Sequence, residues 1–341
     1  MEKKKKLSVA VLGVKTMGNL HLDGIADYED AEIGAICDID LDRLKYAGDR
    51  YNIPEEKRYV DYKDLLADPD IDAVILSIRD QMHLPLSEEF LAAGKHVLCE
   101  KPLALTRPEL EGIIAAANKS DRKFMVGQIC RFTPAFVKAK ELIDAGTIGE
   151  LYFVESEYAH DYETITHTWR ADPNRHGVIG GGCHAVDLLR WIAGDPEEVF
   201  AYGVHKLLPH VSYDDATISV LKFPNKVIGK IFVSTGCKRD YTMRTLFYGT
   251  KGTIICDNQS TELTLFTLQE NSTAVNLTPT MIPVNVANHN TTGEFKVFAD
   301  HILNDTPVEM TAVEGAKTVA ACLAIVESSK IGKPVKPDYN F

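Results

Sequence analysis

Several things are scarce or missing in this 341-residue sequence. It has no apolar run approaching the roughly 18–20 residues that span a bilayer, so no membrane helix is expected. It has seven cysteines, Cys37, Cys99, Cys130, Cys183, Cys237, Cys256 and Cys322, which are odd in number, widely spaced and free of any C-x-x-C. That pattern excludes a disulfide scaffold and predicts reduced, mostly buried thiols in a cytoplasmic protein. Cys183 and His184 are adjacent but lack ligands at metal-binding spacing, so no metal is expected. Positive charge is also short. The net charge is −12, and no basic stripe is interleaved with aromatics, so nucleic acid is not an expected partner. The one basic cluster, Lys3 to Lys6, precedes a short apolar stretch with no cleavage-like site and reads as a solvated tail. Repeats and low-complexity segments are absent.

What is present is an ordinary globular balance, 45% hydrophobic and 25% charged, at a length that suits two domains. Over residues 1–125 strand and helix patterns alternate. Strands are expected at Leu7 to Leu12, Ala31 to Cys37, Arg58 to Val60, Asp72 to Ile78, His96 to Cys99 and Lys123 to Gly127. Helices are expected at Gly18 to Asp27, Leu41 to Arg50, Leu84 to Ala93 and Thr106 to Lys119. This alternation predicts an α/β, doubly wound parallel sheet covered on both faces. After Gly127 the pattern changes. Long segments such as Glu150 to Glu157, Ala216 to Phe223 and Val227 to Ser234 alternate Thr and Val with polar residues, as in a sheet with one wet face. Helical patterns fall at Phe136 to Ala145, His184 to Ala193, Phe295 to Leu303 and Val313 to Ser329. Residues 126–341 are expected to form an α+β domain on a large, open, mainly antiparallel sheet.

Three motifs carry chemistry. Gly13-Val14-Lys15-Thr16-Met17-Gly18 lies at a strand-to-helix turn and matches the dinucleotide fingerprint G-x-G-x-x-G except at Lys15. The outer glycines serve the tight turn and the close helix–strand approach. Lys15 either crowds the phosphates or points outward and offers them its ammonium. Asp38 ends the second strand, 20 residues after Gly18. An acid there accepts from ribose hydroxyls and repels a 2′-phosphate, favouring NAD over NADP, with Arg43 nearby to weaken the preference. Asp38 and Asp40 are equally readable as helix N-caps. The second motif ends a buried strand in Glu100-Lys101-Pro102. Ligands of open α/β sheets bind outside such strand ends, so Lys101 is placed to meet a substrate hydroxyl and stabilise negative charge on its oxygen. Read as bare residues, Glu100 and Lys101 are also a plain surface ion pair. The third motif runs Gly180-Gly181-Gly182-Cys183-His184-Ala185-Val186-Asp187. Its glycines allow close backbone approach, and His184 is a candidate general base, or a structural histidine in a capped helix.

These motifs, in this order, resemble the Gfo/Idh/MocA family, the glucose-fructose oxidoreductase and inositol dehydrogenase group. The resemblance covers nearly the whole chain, from Gly13 to His21, Asp38, His83 to Pro102 and Gly127 to Gly149 through Trp169-Arg170 and Gly180 to Trp191. It implies an N-terminal Rossmann domain and a homodimer or homotetramer formed through the second domain's sheet. It implies that Lys101 and His184 are catalytic, with His184 exchanging the hydroxyl proton. It implies a cofactor site of Gly13, Lys15, Met17, Gly18, Asp38, Ser77, His83, Glu100, Lys101, Trp169 and Arg170, holding NAD or else NADP. Gln128, Asp187 and His184 fall where a sugar or cyclitol would be met. Three positions depart from the family: Lys15 for glycine, Arg79 for a common proline, and Gly180 where many dehydrogenases carry an aspartate that supports proton transfer.

The expected function is hydride transfer between the nicotinamide cofactor and a secondary alcohol of a sugar, sugar derivative or inositol. A glycosidase acting by transient C3 oxidation and elimination is an alternative, as is a non-catalytic NAD- or sugar-sensing regulator. Further pocket residues are expected from loops around Tyr158 to Thr168 and Arg239 to Met243.

Overall fold

The computed structural model describes residues 6–268, 277–286 and 289–341, so Lys3 to Lys5 of the basic cluster lie outside the described residues. The chain forms two compact units. The first comprises Met1–Gln128, Asn290–Ala316 and Phe341, and the second comprises Ile129–His289 and Lys317–Asn340. Residues 290–316, which the sequence pattern groups with the later domain, are counted in the first unit.

The first unit opens with β1 (Leu7–Leu12), α1 (Thr16–Ala26), β2 (Ala31–Cys37), α2 (Leu41–Arg50), β3 (Arg58–Tyr59) and α3 (Tyr62–Ala67). It continues with β4 (Ala73–Leu76), α4 (His83–Ala92), β5 (His96–Glu100), α5 (Arg107–Lys119) and β6 (Phe124–Gly127). All six strands pair parallel, in the order β3-β2-β1-β4-β5-β6. The expected α/β doubly wound sheet is therefore present. The chain starts centrally at β1, runs out to one edge, returns to β4 beside β1 and fills the other edge. The β1/β4 pair is thus the switch point, where a ligand crevice opens beyond the strands' carboxyl ends. The central strands are mostly apolar because both faces are covered. β1 and β4 are buried at every residue. Thr106 and Glu109 form the capping box that starts α5.

The second unit contains α6 (Pro134–Asp144), β7 (Leu151–Ala159), α7 (Cys183–Ala193), β8 (Glu198–Val204), β9 (Ala216–Lys222), β10 (Ile228–Ser234) and β11 (Thr242–Gly249). β12 (Gly252–Asp257), β13 (Glu262–Thr267) and β14 (Thr280–Pro283) complete its sheet of eight strands, ordered β14-β13-β12-β11-β7-β10-β9-β8. Only the β10/β7 pair is parallel, so the expected open, mainly antiparallel sheet is present. β9 alternates buried and exposed residues along its length. Its inward side chains Thr217, Ser219 and Leu221 are buried, while Ile218 and Val220 stand exposed on the outer face beside Tyr202 of β8. α8 (Thr291–Leu303) packs against α1 within the first unit, where the Tyr28 hydroxyl donates to Asp300 over 2.6 Å. α9 (Ala312–Ile331) is the last helix among the described residues. None of the described helices is long and apolar enough to cross a membrane. The seven cysteines are free thiols, all buried except the half-buried Cys237.

Candidate active site

In the first unit the site is built from backbone. Gly13 has φ +90°, and a Cβ there would stand 2.2 Å from the Ser77 carbonyl oxygen. A Cβ at Gly18 would stand 1.9 Å from the Gly13 carbonyl oxygen. Both positions therefore exclude any side chain. Lys15 is different. Its φ is −78°, which any residue adopts, and its side chain is exposed. The exposed side chain lets lysine replace the fingerprint glycine without closing the turn. Asn19 ties the turn down, donating from Nδ2 to the carbonyls of Val14 over 2.7 Å and Lys15 over 3.0 Å. α1 starts with no side-chain cap, which leaves the N–H groups of its first turn directed at the crevice. Met17 is half-buried in that first turn.

Asp38 is buried and binds the turn itself. Its Oδ2 accepts from the Val14 N–H over 2.9 Å, and its Oδ1 accepts from the Asp40 N–H over 2.9 Å. Asp40, not Asp38, caps α2, accepting from the N–H groups of Asp42 and Arg43. A carboxylate has about four acceptor sites, so Asp38 keeps capacity for ribose hydroxyls. Arg43 stands 4.0 Å from Asp38 and partly offsets the repulsion that Asp38 offers a 2′-phosphate.

The other expected cofactor positions lie at strand ends. Ser77 follows β4 and donates its N–H to Leu12 over 2.9 Å. His83 is fully buried, and its Nδ1–H donates to the carbonyls of Pro102 at 3.0 Å and Leu103 at 3.2 Å. It thereby braces the turn after Lys101, whose peptide bond to Pro102 is cis. Glu100 ends β5. Its Oε1 takes the His21 Nε2 at 2.8 Å, and its Oε2 accepts from the Lys101 N–H at 3.1 Å. Burial pushes the Glu100 carboxyl up, but the His21 hydrogen bond and the Lys101 charge outweigh it and hold the group below its ordinary range. Arg79 is exposed beyond β4. Gln128 is buried, with its N–H donating to Val126 over 2.8 Å. The uncapped helix start, the two glycines that only a bare backbone satisfies, and an acid with spare acceptors at the β2 end fit an adenine dinucleotide.

The second unit carries a polar cluster built from side chains. A 3-10 turn, Ile129–Phe132, clamps the two polar residues of the His184-x-x-Asp187 helix. Cys130 Sγ lies 3.3 Å from His184 Nδ1, and Arg131 grips Asp187 with two bonds of 2.9 and 2.8 Å. Asp187 Oδ1 also accepts from Thr318 over 2.9 Å. Asp187 and His184 share α7, but the structure directs them to different partners. Asp187 is engaged in a buried ion pair that fixes the helix against Arg131. The Cys130 thiol donates to the Met243 thioether at 3.5 Å. The Cys130 contact engages Nδ1 and holds the orientation of the His184 ring.

The glycine run before α7 has a packing reason. A Cβ at Gly181 would meet Tyr158 at 2.5 Å, and one at Gly182 would meet Val233 at 2.5 Å. At Gly180 the space belongs to Arg175, whose Nη1 would lie 2.1 Å from a Cβ. Where an aspartate is common, this chain has a buried guanidinium that also donates to the Gly180 carbonyl. Trp169 carries the guanidinium groups of Arg170 and Arg175 over its ring, at 4.4 and 5.3 Å. Aromatic rings surround His184. Tyr158 stacks on it at 5.9 Å, His289 meets it edge-on at 6.2 Å, and Tyr241 stacks on His289 at 5.7 Å. Tyr241 falls in a loop the sequence flags, whereas Tyr158, expected in a loop, lies near the end of strand β7. His289 and the Cys130 contact carry no signal in the sequence.

A turn of this geometry, an acid at the β2 end and a β1/β4 crevice define a dinucleotide-binding protein. Comparison with known proteins sharpens the class. Residues 7–128 match the model of the oxidoreductase family with an NAD-binding Rossmann fold, and residues 136–255 match the GFO/IDH/MocA C-terminal domain. The chain is 31% identical over 263 residues to a myo-inositol 2-dehydrogenase of Thermotoga maritima, covering 74% of this chain and 75% of that one. It is 30% identical over 224 residues to a mouse trans-1,2-dihydrobenzene-1,2-diol dehydrogenase, covering 65% of each. A levoglucosan dehydrogenase solved with NADH shares the fold at a TM-score of 0.85 and 22% identity, covering 98% of this chain and 100% of that one. The chain belongs to the Gfo/Idh/MocA oxidoreductase family, and its first unit is an NAD-binding Rossmann domain.

Proposed function

We propose that this oxidoreductase moves a hydride between the nicotinamide cofactor and a secondary alcohol on a cyclic polyol, a sugar, sugar derivative or inositol. Bound NAD supplies the hydride acceptor, or in reverse its reduced form supplies the donor. Gly13, Gly18 and the α1 amide groups receive the pyrophosphate, and Asp38 receives the adenosine ribose. The reading joins Lys101 and His184 in one reaction. His184 removes the hydroxyl proton at Nε2, and the Lys101 ammonium stabilises the alkoxide. Gln128 and Asp187 keep their expected part in substrate binding, Asp187 by holding Arg131 and α7. Trp169 and Arg170 are assigned to the nicotinamide end.

The observation that carries this reading is the orientation of His184, whose Nδ1 is committed to Cys130 at 3.3 Å. A cyclic substrate is supported by the relatives, since the Tyr158 ring is buried and already stacked on His184. The relatives are named for inositol and a dihydrobenzene diol, which are rings bearing secondary hydroxyls. The exposed apolar residues Tyr202, Ile218 and Val220 support self-association through the outer sheet face. The free thiols support a cytoplasmic location.

The test is NADH or NADPH formation across a panel of free inositols, aldoses and cyclic diols. Net reduced cofactor with at least one of them is expected, and its loss in Lys101→Ala. Glycoside cleavage without net NADH would favour the elimination reading instead.

A further inference from the structure

The roles assigned so far leave three buried titratable groups of the first unit in one place. His21 on α1, Glu100 at the end of β5 and Glu294 in the first turn of α8 bring their imidazole and carboxylate atoms within 4.8 Å of one another. His21 and Glu294 have no exposed surface. The hydrogen bonds are distributed unevenly. Both oxygens of Glu100 have donors, His21 and the Lys101 N–H. Neither oxygen of Glu294 has a hydrogen-bonding partner among the described residues. An ionised carboxylate without donors is costly to bury, and two carboxylates this close do not both stay charged near neutral pH. The donors assign the charge to Glu100, which leaves the proton to Glu294. The groups that face Glu294 agree: His21 is the titratable group presented by α1, and Glu100 and Lys101 those presented at the β5 end. Burial first, and the Glu100 charge second, push Glu294 well above the ordinary carboxyl range, while Lys101 opposes them.

We propose that Glu294 is kept as a neutral carboxylic acid, and that its proton preserves the Glu100–His21 pair that positions Lys101. The positioning half of this rests on the reading of Lys101 as the group that stabilises the alkoxide. Losing the proton would place a second negative charge beside Glu100, draw His21 away from it and loosen the turn into Lys101. Glu294 is therefore a positioning residue that acts through Glu100.

Infrared spectroscopy of the full-length protein with bound NAD tests the proton directly. The wild type should show a protonated-carboxyl band at pH 7 that Glu294→Gln lacks. A wild type without that band overturns the proposal, and this arm stands even if the variant does not fold. Thermal unfolding supplies the second arm. Glu294 is raised in the folded state, so the wild type loses stability as pH rises from the ordinary carboxyl range toward the raised value. Glu294→Gln has no such loss, and its melting temperature should gain on the wild type by about 2–4 °C per pH unit in that window. A constant difference from pH 5 to pH 8 overturns the proposal. Turnover supplies the third arm. Glu294→Gln should extend the alkaline limb of kcat to higher pH and exceed Glu294→Ala at least tenfold at pH 7. Coincident pH profiles for wild type and Glu294→Gln would refute the positioning role. If no polyol were turned over at all, the functional reading would fail, yet the first two arms would still decide the proton.

Discussion

The two compact units shape their chemistry with different materials. In the first, bare backbone does the work: Gly13 lies against the Ser77 carbonyl, Gly18 against Gly13, and the amide groups of α1 face the crevice. In the second, packed side chains do it: one short turn holds His184 through Cys130 and Asp187 through Arg131, and Arg175 fills the space at Gly180. A backbone site tolerates a changed side chain wherever that side chain stays exposed, as at Lys15. A side-chain site tolerates little, because each group is the partner of another.

The contrast can be broken or sharpened by substitution. The largest effect is expected at the reacting nitrogen: His184→Ala should lower kcat about 10²–10⁴-fold while NAD affinity holds, measured by steady-state kinetics and calorimetry. Asp187→Ala removes the partner of a buried guanidinium and should cost about 3–5 kcal/mol of stability in denaturant unfolding. Gly13→Ala forces a side chain into positive φ against a carbonyl. It should cost roughly 1–3 kcal/mol and weaken NAD binding with it. Smallest of all, Lys15→Gly restores the common fingerprint residue and should move stability by no more than about 0.5 kcal/mol. If Lys15→Gly were as damaging as Gly13→Ala, the account of the turn as a backbone site would be wrong.

Backbone devices were also the more legible ones. The strand Ala31–Cys37 and the helix Leu41–Arg50 lie where the pattern puts them, residue for residue, because a buried apolar strand end and an aspartate cap write themselves into composition. The glycine turn and the end of β5 were readable for the same reason. Short elements were not. α3 spans six residues and β14 four, too few for a period to show. The α8 pattern was read as starting at Phe295, yet the Asn290 cap starts the helix at Thr291 and brings Glu294 into its first turn. That carboxylate stands almost 200 residues from Glu100, and only the packing of α8 on α1 unites them. The Cys130–His184 contact is of the same kind. A thiol inside an apolar run looks like core until its neighbour across the fold is known.

The central claim is a direct hydride exchange that depends on Lys101 and His184. It is tested most directly with a cyclic polyol, chosen from the active members of the panel and carrying deuterium on the reacting carbinol carbon. The account predicts that mass spectrometry finds the deuterium in the reduced nicotinamide in step with product, and that Lys101→Ala and His184→Ala suppress both together. Product formed while the deuterium appears in solvent, or with no label on the cofactor, would contradict it.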